Sequence, residues 1–366
     1  MRIGARIIKT GIAVMITIYI CRTFAFEPAF FGAVSAVINM QPSIALTLTA
    51  AKDQILVHIL GVGAAIIFGH LLGVNILTVG LITILIIYLC IKLSLQSGIT
   101  MGIVAALFVM GSGPEEFLPH AMARTAVIFV GLGTAMLVNI LLWPPQYRRQ
   151  FADKLRESNQ ETVHYFCTAV HEYVALENEA PNLNPDQRKK VRKLNKEARV
   201  LAEFLGRDGQ LLSAAPTEHS ERLALAERLI DYNQSLAGKA ERIYDLLPAR
   251  FERRQNSGAP PISDEFRAIL DLLASGCATI TRINDKLRTA IIDGQAVEPE
   301  EITEDYWERM TKAIEEWQPK LTGSYYLHGL LELAVVANEI KWAARQAKTL
   351  LVESVAAVAP PPDQAP

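Results

Sequence analysis

"FFGAVSAVINMQPS" occupies residues 30–43. It is apolar up to a polar knot formed by Asn39, Gln41, Pro42 and Ser43. The hydrocarbon core of a bilayer takes about 20 helical residues at ~1.5 Å each, so this stretch is too short to cross comfortably. The pattern returns seventy positions later as "TMGIVAALFVMGSGP", residues 100–114. Gly32 then falls on Gly102, Val34 on Val104, Ala36 on Ala106 and Met40 on Met110. Short apolar segments broken by Gly or Pro, at matching places in two half-repeats, point to the substrate site of a secondary transporter.

The same offset holds further out. "GVGAAIIFGHLL" (61–72) meets "GLGTAMLVNILL" (131–142), which pairs Gly61 with Gly131 and Gly63 with Gly133. Apolar runs give six spans, at about 5–24, 28–43, 53–73, 75–93, 97–111 and 117–143. Three spans per copy is an odd number, so the second copy enters from the opposite face as an inverted repeat. Backbone that is not helical is tolerated at membrane depth only inside protein or beside a cavity, so the broken ends of spans two and five belong in the interior. The glycines read first as packing positions, because small residues let membrane helices approach closely.

Loop charge sets the orientation. Arg2, Arg6, Lys9, Lys52, Lys92, Arg148 and Arg149 fall on one side, and Arg22 with the acidic loop "GSGPEEF" falls on the other. By the positive-inside rule both termini are cytoplasmic, in a multi-pass protein of the cell membrane. The first residues mimic a signal peptide, but no small-residue cleavage site follows, so they read as a retained helix.

Charge divides the chain. Residues 1–145 hold eleven of the 74 charged side chains and carry a net +3, whereas the remaining 63 lie beyond them and sum to −5. The overall charge of −2 carries no signature of a nucleic-acid partner. Cys21, Cys90, Cys167 and Cys277 form neither a CxxC pair nor a metal spacing with His, so they read as small hydrophobes and no metal site is expected. "GVG" at 61–63 follows no strand, and "GSGPEE" lacks the Lys-Ser/Thr of a phosphate loop. "HEYV" at 171–174 is not HExxH. No nucleophile–base pair can be argued, so the chain does not read as an enzyme and no cofactor is expected.

Ionisable groups at membrane depth are costly and read as functional by default. Arg124 lies about two turns into span six and keeps its charge. It faces either a cavity, where it attracts an anion, or the outer interface, where it snorkels. Its repeat mate is Gln54. His58, one turn before the Gly pair of span three, is placed to carry a coupling proton or to sit as a buried neutral imidazole. Asn39 and Gln41 offer amide groups at the break, either to cap span two or to line the site. Phe30 and Phe31 stand beside them for an aromatic ring. The expected binding set is therefore Phe30, Phe31, Asn39, Gln41 and Arg124, with His58 for the proton.

"WPPQYRR" at 143–149 marks the boundary of the apolar half. Beyond it the apolar period is helical, giving helices at about 147–178, from 185, 217–247, 263–292, 303–318 and 324–356. "PARFERRQNSGAPPIS" (248–263) reads as a loop, and residues 357–366 as a disordered tail. The basic run at 188–199 keeps helical apolar spacing and reads as a solvated helix face. The expected fold is all-α: a six-span membrane domain (1–145) followed by a cytosolic helical bundle (146–356).

The Gly-pair helix, the "QPS" break after span two, and "R…GLGTAMLVNILLWPP" leading into helices resemble the aromatic acid exporter family. This family lies within the fusaric-acid-resistance-like superfamily, and the likeness is to its small bacterial branch with a C-terminal helical domain. The matching positions are Gln41, Pro42, Gly61, Arg124, Gly131, Asn139 and Pro144. The chain departs from the family pattern at two places. His58 stands where relatives often carry an Arg, and Thr125 where they often carry an acid. The resemblance implies proton-driven efflux of aromatic carboxylic acids across a bacterial inner membrane. The partners expected are the lipid bilayer, a small organic anion and, because of the small-residue faces, a second copy of the chain. A passive anion channel and a membrane-anchored regulatory or scaffold module are the competing readings.

Overall fold

Every long regular element among the described residues is an α-helix. The computed structural model describes residues 5–41, 43–95, 98–111, 117–141, 147–175, 180–212, 218–258, 261–298, 305–320 and 324–358. Pro42, Trp143, Pro144 and the expected tail beyond 358 lie outside them. The chain divides into two compact units, Met1–Gln146 and Tyr147–Pro366.

The first unit holds α1 (Ala5–Thr23), α2 (Phe30–Asn39), α3 (Ile44–Leu72), α4 (Ile76–Lys92), α5 (Ile99–Met110) and α6 (Phe117–Leu141). Local chemistry sets several of these ends. Beyond Asn39, Met40 leaves the helical region at φ −76° and ψ 73°. Ser43 then restarts the helix, its side chain accepting from the Leu46 amide at 3.0 Å. Asn75 caps α4 in the same way, through the Thr78 amide at 2.8 Å. The start of α3 corrects the sequence reading, which opened the third span at 53. Lys52 and Asp53 break the hydropathy run but not the helix, and Ser43 caps it nine positions before Lys52. By length and composition, α3 and α6 are apolar enough to cross a membrane, whereas α2, α4 and α5 are shorter.

Shifted by seventy residues, α1 overlies α4, α2 overlies α5 and α3 overlies α6. The packing obeys the same exchange. α1 packs on α2 and α6, as α4 packs on α5 and α3; α2 packs on α6, as α5 packs on α3. α3 and α6 touch each other, with Thr47 meeting Asn139 at one end and His58 meeting Thr125 further along. Residue numbers rise on one helix as they fall on the other, so these mates run antiparallel.

Two close crossings hold the unit together. A Cβ on Gly61 would strike the backbone oxygen of Gly102, and a Cβ on Gly131 would strike the backbone oxygen of Gly32. Gly61 and Gly131 are repeat mates, as are Gly32 and Gly102, so the two crossings are the same contact made twice. Many large apolar side chains of this unit face out; Ile76 is 92% exposed and Leu77 85%. Apolar surface on this scale marks contact with lipid or a partner.

The second unit holds α7 (Tyr147–Ala175), α8 (Pro185–Leu212), α9 (Glu218–Asn256), α10 (Asp264–Leu287), α11 (Asp305–Trp317) and α12 (Ser324–Val358). These helices surround one core in which Tyr165, Phe166, Tyr173, Leu229 and Ile230 are fully buried. A chain of amides crosses that core: the Asn159 side chain donates to Asn233 at 2.8 Å and to Asn284 at 2.9 Å. The basic run on α8 forms ion pairs at the surface, where Arg188 and Arg192 share Glu241 at 2.8 and 2.7 Å. The loop expected at 248–263 is corrected. α9 runs through Pro248 to Asn256, and only the last part of that stretch leaves the helix. Proline removes one amide donor and strains the preceding turn, yet a helix held by tertiary packing can continue past it.

Candidate functional site

The four helices α2, α3, α5 and α6 bring their polar residues together inside the first unit. Arg124 of α6 is only 2% exposed. None of its three guanidinium nitrogens has a hydrogen-bond partner among the described residues. Instead the guanidinium lies over the ring of Phe31 from α2 and 4.3 Å from the ring centre of Phe108 on α5. The two rings meet edge to face at 4.4 Å. Cation–π contact offsets part of the desolvation of a buried cation, up to about 2 kcal/mol, but it satisfies none of the N–H donors. The result is a fixed positive charge with its whole hydrogen-bonding fork unused.

Thr125, the next residue, meets His58 of α3, with Nε2 and Oγ1 2.8 Å apart. The His58 Nδ1 is buried without a partner. His58 and Thr125 are thus joined across α3 and α6 by one hydrogen bond.

One turn beyond Arg124, the Ile128 carbonyl accepts from Ser35 Oγ at 3.1 Å. Ser35 Oγ accepts in turn from Gln54 Nε2 at 3.0 Å. Asn39 Nδ2 donates to the Ser35 carbonyl at 2.8 Å and to Gln54 Oε1. Asn39 Oδ1 is left buried and unpaired. Arg124, Phe31, His58 and Asn39 therefore stand along one polar seam. Its open valences are the Arg124 fork, one imidazole nitrogen and one amide oxygen. Such a set suits an anion with an aromatic or apolar body.

Two of the expected residues stand apart from this seam. Gln41 turns back to donate to the Ile38 carbonyl at 2.7 Å, capping α2. Phe30 is 67% exposed and touches the seam only through the edge of Phe31, ring centres 5.5 Å apart.

Several members were not singled out from sequence. Phe108 and Ser35 belong to the seam because of which helices cross, and spacing alone does not report that. Lys9 is buried, with Nζ 3.1 Å from Asn139 Oδ1. Asn139 also donates to Thr47 Oγ1 at 3.0 Å and to the Gln41 carbonyl at 3.2 Å, tying α1, α3 and the break after α2 to α6. A signal for Lys9 was present: it lies one and two turns before Ala13 and Thr17, both fully buried, on a single helix face.

Residues 1–142 match the family described as aromatic acid exporter family member 1. Among curated proteins, the chain is 28% identical over 172 residues to the UPF0421 protein YgaE of Bacillus subtilis (strain 168), covering 47% of this chain and 49% of that one. It is 28% identical over 173 residues to the UPF0421 protein SAUSA300_1870 of Staphylococcus aureus (strain USA300), covering 47% and 52%. The chain thus spans about half the length of the curated relatives it matches.

Proposed function

We propose, from the match of residues 1–142 to the aromatic acid exporter family, that this unit is a secondary transporter that carries aromatic carboxylates or related organic anions out of the cell. The carrying observation is Arg124: a buried guanidinium, stacked on two rings, with no hydrogen-bond partner on any nitrogen. An uncompensated buried charge costs several kcal/mol, and a carboxylate ligand would offset that cost through a bidentate pair. Phe31 and Phe108 then meet the substrate's ring, Asn39 orients it, and His58 exchanges the coupling proton.

In this reading the unit is embedded in the bilayer as six helices, two of them half-crossing, with the antiparallel copies forming an inverted repeat. Both termini face the cytoplasm, the second unit forms a cytosolic helical bundle, and the exposed apolar faces meet lipid or a second copy of the chain. The substrate site runs along α2, from Phe31 in its first turn to Asn39 at its last, with Phe108 contributed from near the end of α5.

The test is export of labelled 4-hydroxybenzoate by intact cells lacking the native gene. R124Q is expected to abolish export while leaving the protein in the membrane, and R124K to retain a small part of it. Export by R124Q at the wild-type rate would sink the proposal. Ohmic anion current through the purified protein in a planar bilayer would favour a channel instead.

A further inference from the structure

A groove with about 470 Å³ of open space runs between α8 and α9 of the second unit. Sites for single small molecules are commonly of this size. α8 lines it with Arg192, Lys196 and Arg199, at i, i+4 and i+7 on one face. α9 lines it with Gln234, Ala237, Gly238 and Glu241. The cations come from the basic run of α8, and the surface ion pairs do not neutralise that run. Glu241 is shared by Arg188 and Arg192, so this trio keeps one positive charge. Asp231 offsets Arg199. Glu203, two turns beyond Lys196 at the far end of the groove, stands 4.0 Å from Arg207. Lys196 has no ion pair or hydrogen bond among the described residues.

The donors left over are spread across three residues. Arg199 gives Nη2 to Asp231 and, at 3.1 Å, to Gln234 Oε1. Its Nε is sealed from solvent without a partner, so Nη1 is the donor it has left. Gln234 accepts through its oxygen and keeps its amide N–H groups unspent among the described residues. Lys196 adds an ammonium. The floor beneath them is open: Gly238 lies inside α9 on ordinary helical backbone, and a Cβ there would meet nothing within 4 Å. No turn or close approach calls for glycine at this point, and glycine weakens a helix interior relative to alanine. What its missing side chain leaves is space.

The chemistry of the groove selects a ligand. A carboxylate takes an arginine best through two parallel N–H groups, and Arg199 no longer offers that pair. Separate donors on three residues instead suit the three terminal oxygens of a phosphate ester. None of the lining residues is aromatic, so nothing in the groove stacks on a base or a benzene ring. We infer that the second unit binds a phosphate monoester with a small polar body here, its phosphate on Lys196, Arg199 and Gln234 and its body over Ala237 and Gly238. A soluble metabolite and a lipid headgroup both present this group, and the test separates them. The site is distinct from the Arg124 seam and does not rest on the transport reading. It gives the second unit a receptor function for a phosphorylated ligand.

The test is titration calorimetry on the full-length protein in detergent, with glycerol 3-phosphate as the soluble probe and dihexanoyl phosphatidic acid as the headgroup probe. Saturable binding is expected, and the tighter of the two identifies the source. Glycerate, with a carboxylate in place of the phosphate, is expected to bind about tenfold more weakly or worse. K196A is expected to weaken phosphate-ester binding by about tenfold, the usual effect of losing one charge-assisted hydrogen bond. G238L fills the groove and is expected to abolish binding while the helical circular dichroism persists. R124Q is expected to bind as wild type does. Absence of saturable binding of both probes overturns the inference, as does wild-type affinity in K196A or G238L. Glycerate binding as tightly as glycerol 3-phosphate also overturns it, since the groove would then be only a cationic patch. So does loss of binding in R124Q, which would put the site in the first unit. Export is read in a separate assay, so this inference and the transport proposal fail independently.

Discussion

Gly61 of α3 stands against the backbone of Gly102 of α5 so closely that no Cβ fits between them, whereas Gly63, two residues on, has open space where its Cβ would be. The repeat mate Gly131 meets Gly32 in the same way, and Gly133 is as open as Gly63. One glycine of each GxG pair is thus a contact and the other is not. G61A and G131A are expected to destabilise the first unit by about 1–3 kcal/mol, the range for overpacking a tight contact. G63A and G133A are expected to be neutral or slightly stabilising, because alanine favours the helix. Thermal unfolding of the four variants in detergent measures this, and equal melting of G61A and G63A would contradict it.

The hydrogen bond between His58 and Thr125 gives a second expectation. In proteoliposomes, an imposed pH gradient should accelerate aromatic-acid movement by the wild-type protein. H58Q keeps a polar group for Thr125 but cannot titrate near neutrality, so it should lose that acceleration and retain movement down a concentration gradient. T125V should cost about 1 kcal/mol of stability through the lost hydrogen bond. An H58Q response to the pH gradient equal to that of wild type would remove His58 from coupling.

Asn139 serves three elements at once: Lys9 on α1, Thr47 on α3 and the Gln41 carbonyl after α2. N139L removes both the acceptor for Lys9 and two donated bonds, in a place where water does not replace them. The expected loss is about 2–4 kcal/mol, read as a lower melting temperature and lower yield from membranes. N139D, which keeps the acceptor, should lose less. If N139L melts with wild type, the three-way junction contributes nothing.

Glu241 supplies a pH-dependent test in the second unit. Burial raises the affinity of its carboxyl for protons, but the hydrogen bonds from Arg192 and Arg188 outweigh burial and hold its pKa below the ordinary value of 4.5. A lowered folded-state pKa contributes stability above the unfolded value, and this is lost as pH falls through the folded value. E241Q should therefore be about 1 kcal/mol less stable than wild type at neutral pH, with the gap closing in strong acid. Urea melts at neutral pH and in acid read this difference. A gap that widened toward acid would reverse the assigned sign.

Much of the helical framework was legible because apolar periodicity and a fixed offset are properties of the chain itself. The break after Asn39 is an example, since Ser43 carries its own capping chemistry. The start of α3 was not legible in the same way. Lys52 and Asp53 interrupt a hydropathy window, but backbone hydrogen bonding does not register that interruption. Pro248 misled for a related reason: a local stop signal was overridden by the packing of α9 on α7 and α12. At the site, a lone charge such as Arg124 or a lone imidazole such as His58 stands out in apolar sequence. Phe108 does not stand out, because an aromatic residue in an apolar helix becomes part of a cation site only through the helix that crosses it. Gln41 was misleading for a local reason: its side chain turns onto the Ile38 carbonyl three residues back, so it caps α2 and does not line the seam.

The paired crossings bear on how such a chain could have arisen. Each glycine contact joins a helix of one copy to a helix of the other: α3 to α5, and α2 to α6. A lone three-helix protein would leave the notched faces of its second and third helices bare. In this fold an antiparallel twin covers them. A half-length chain built this way would have needed a second copy, packed against it antiparallel, before any duplication fused the halves. In a fused chain the two halves need not match, and Arg124 opposite Gln54 at the seventy-residue offset is such a difference: one copy carries a neutral amide and the other a charge.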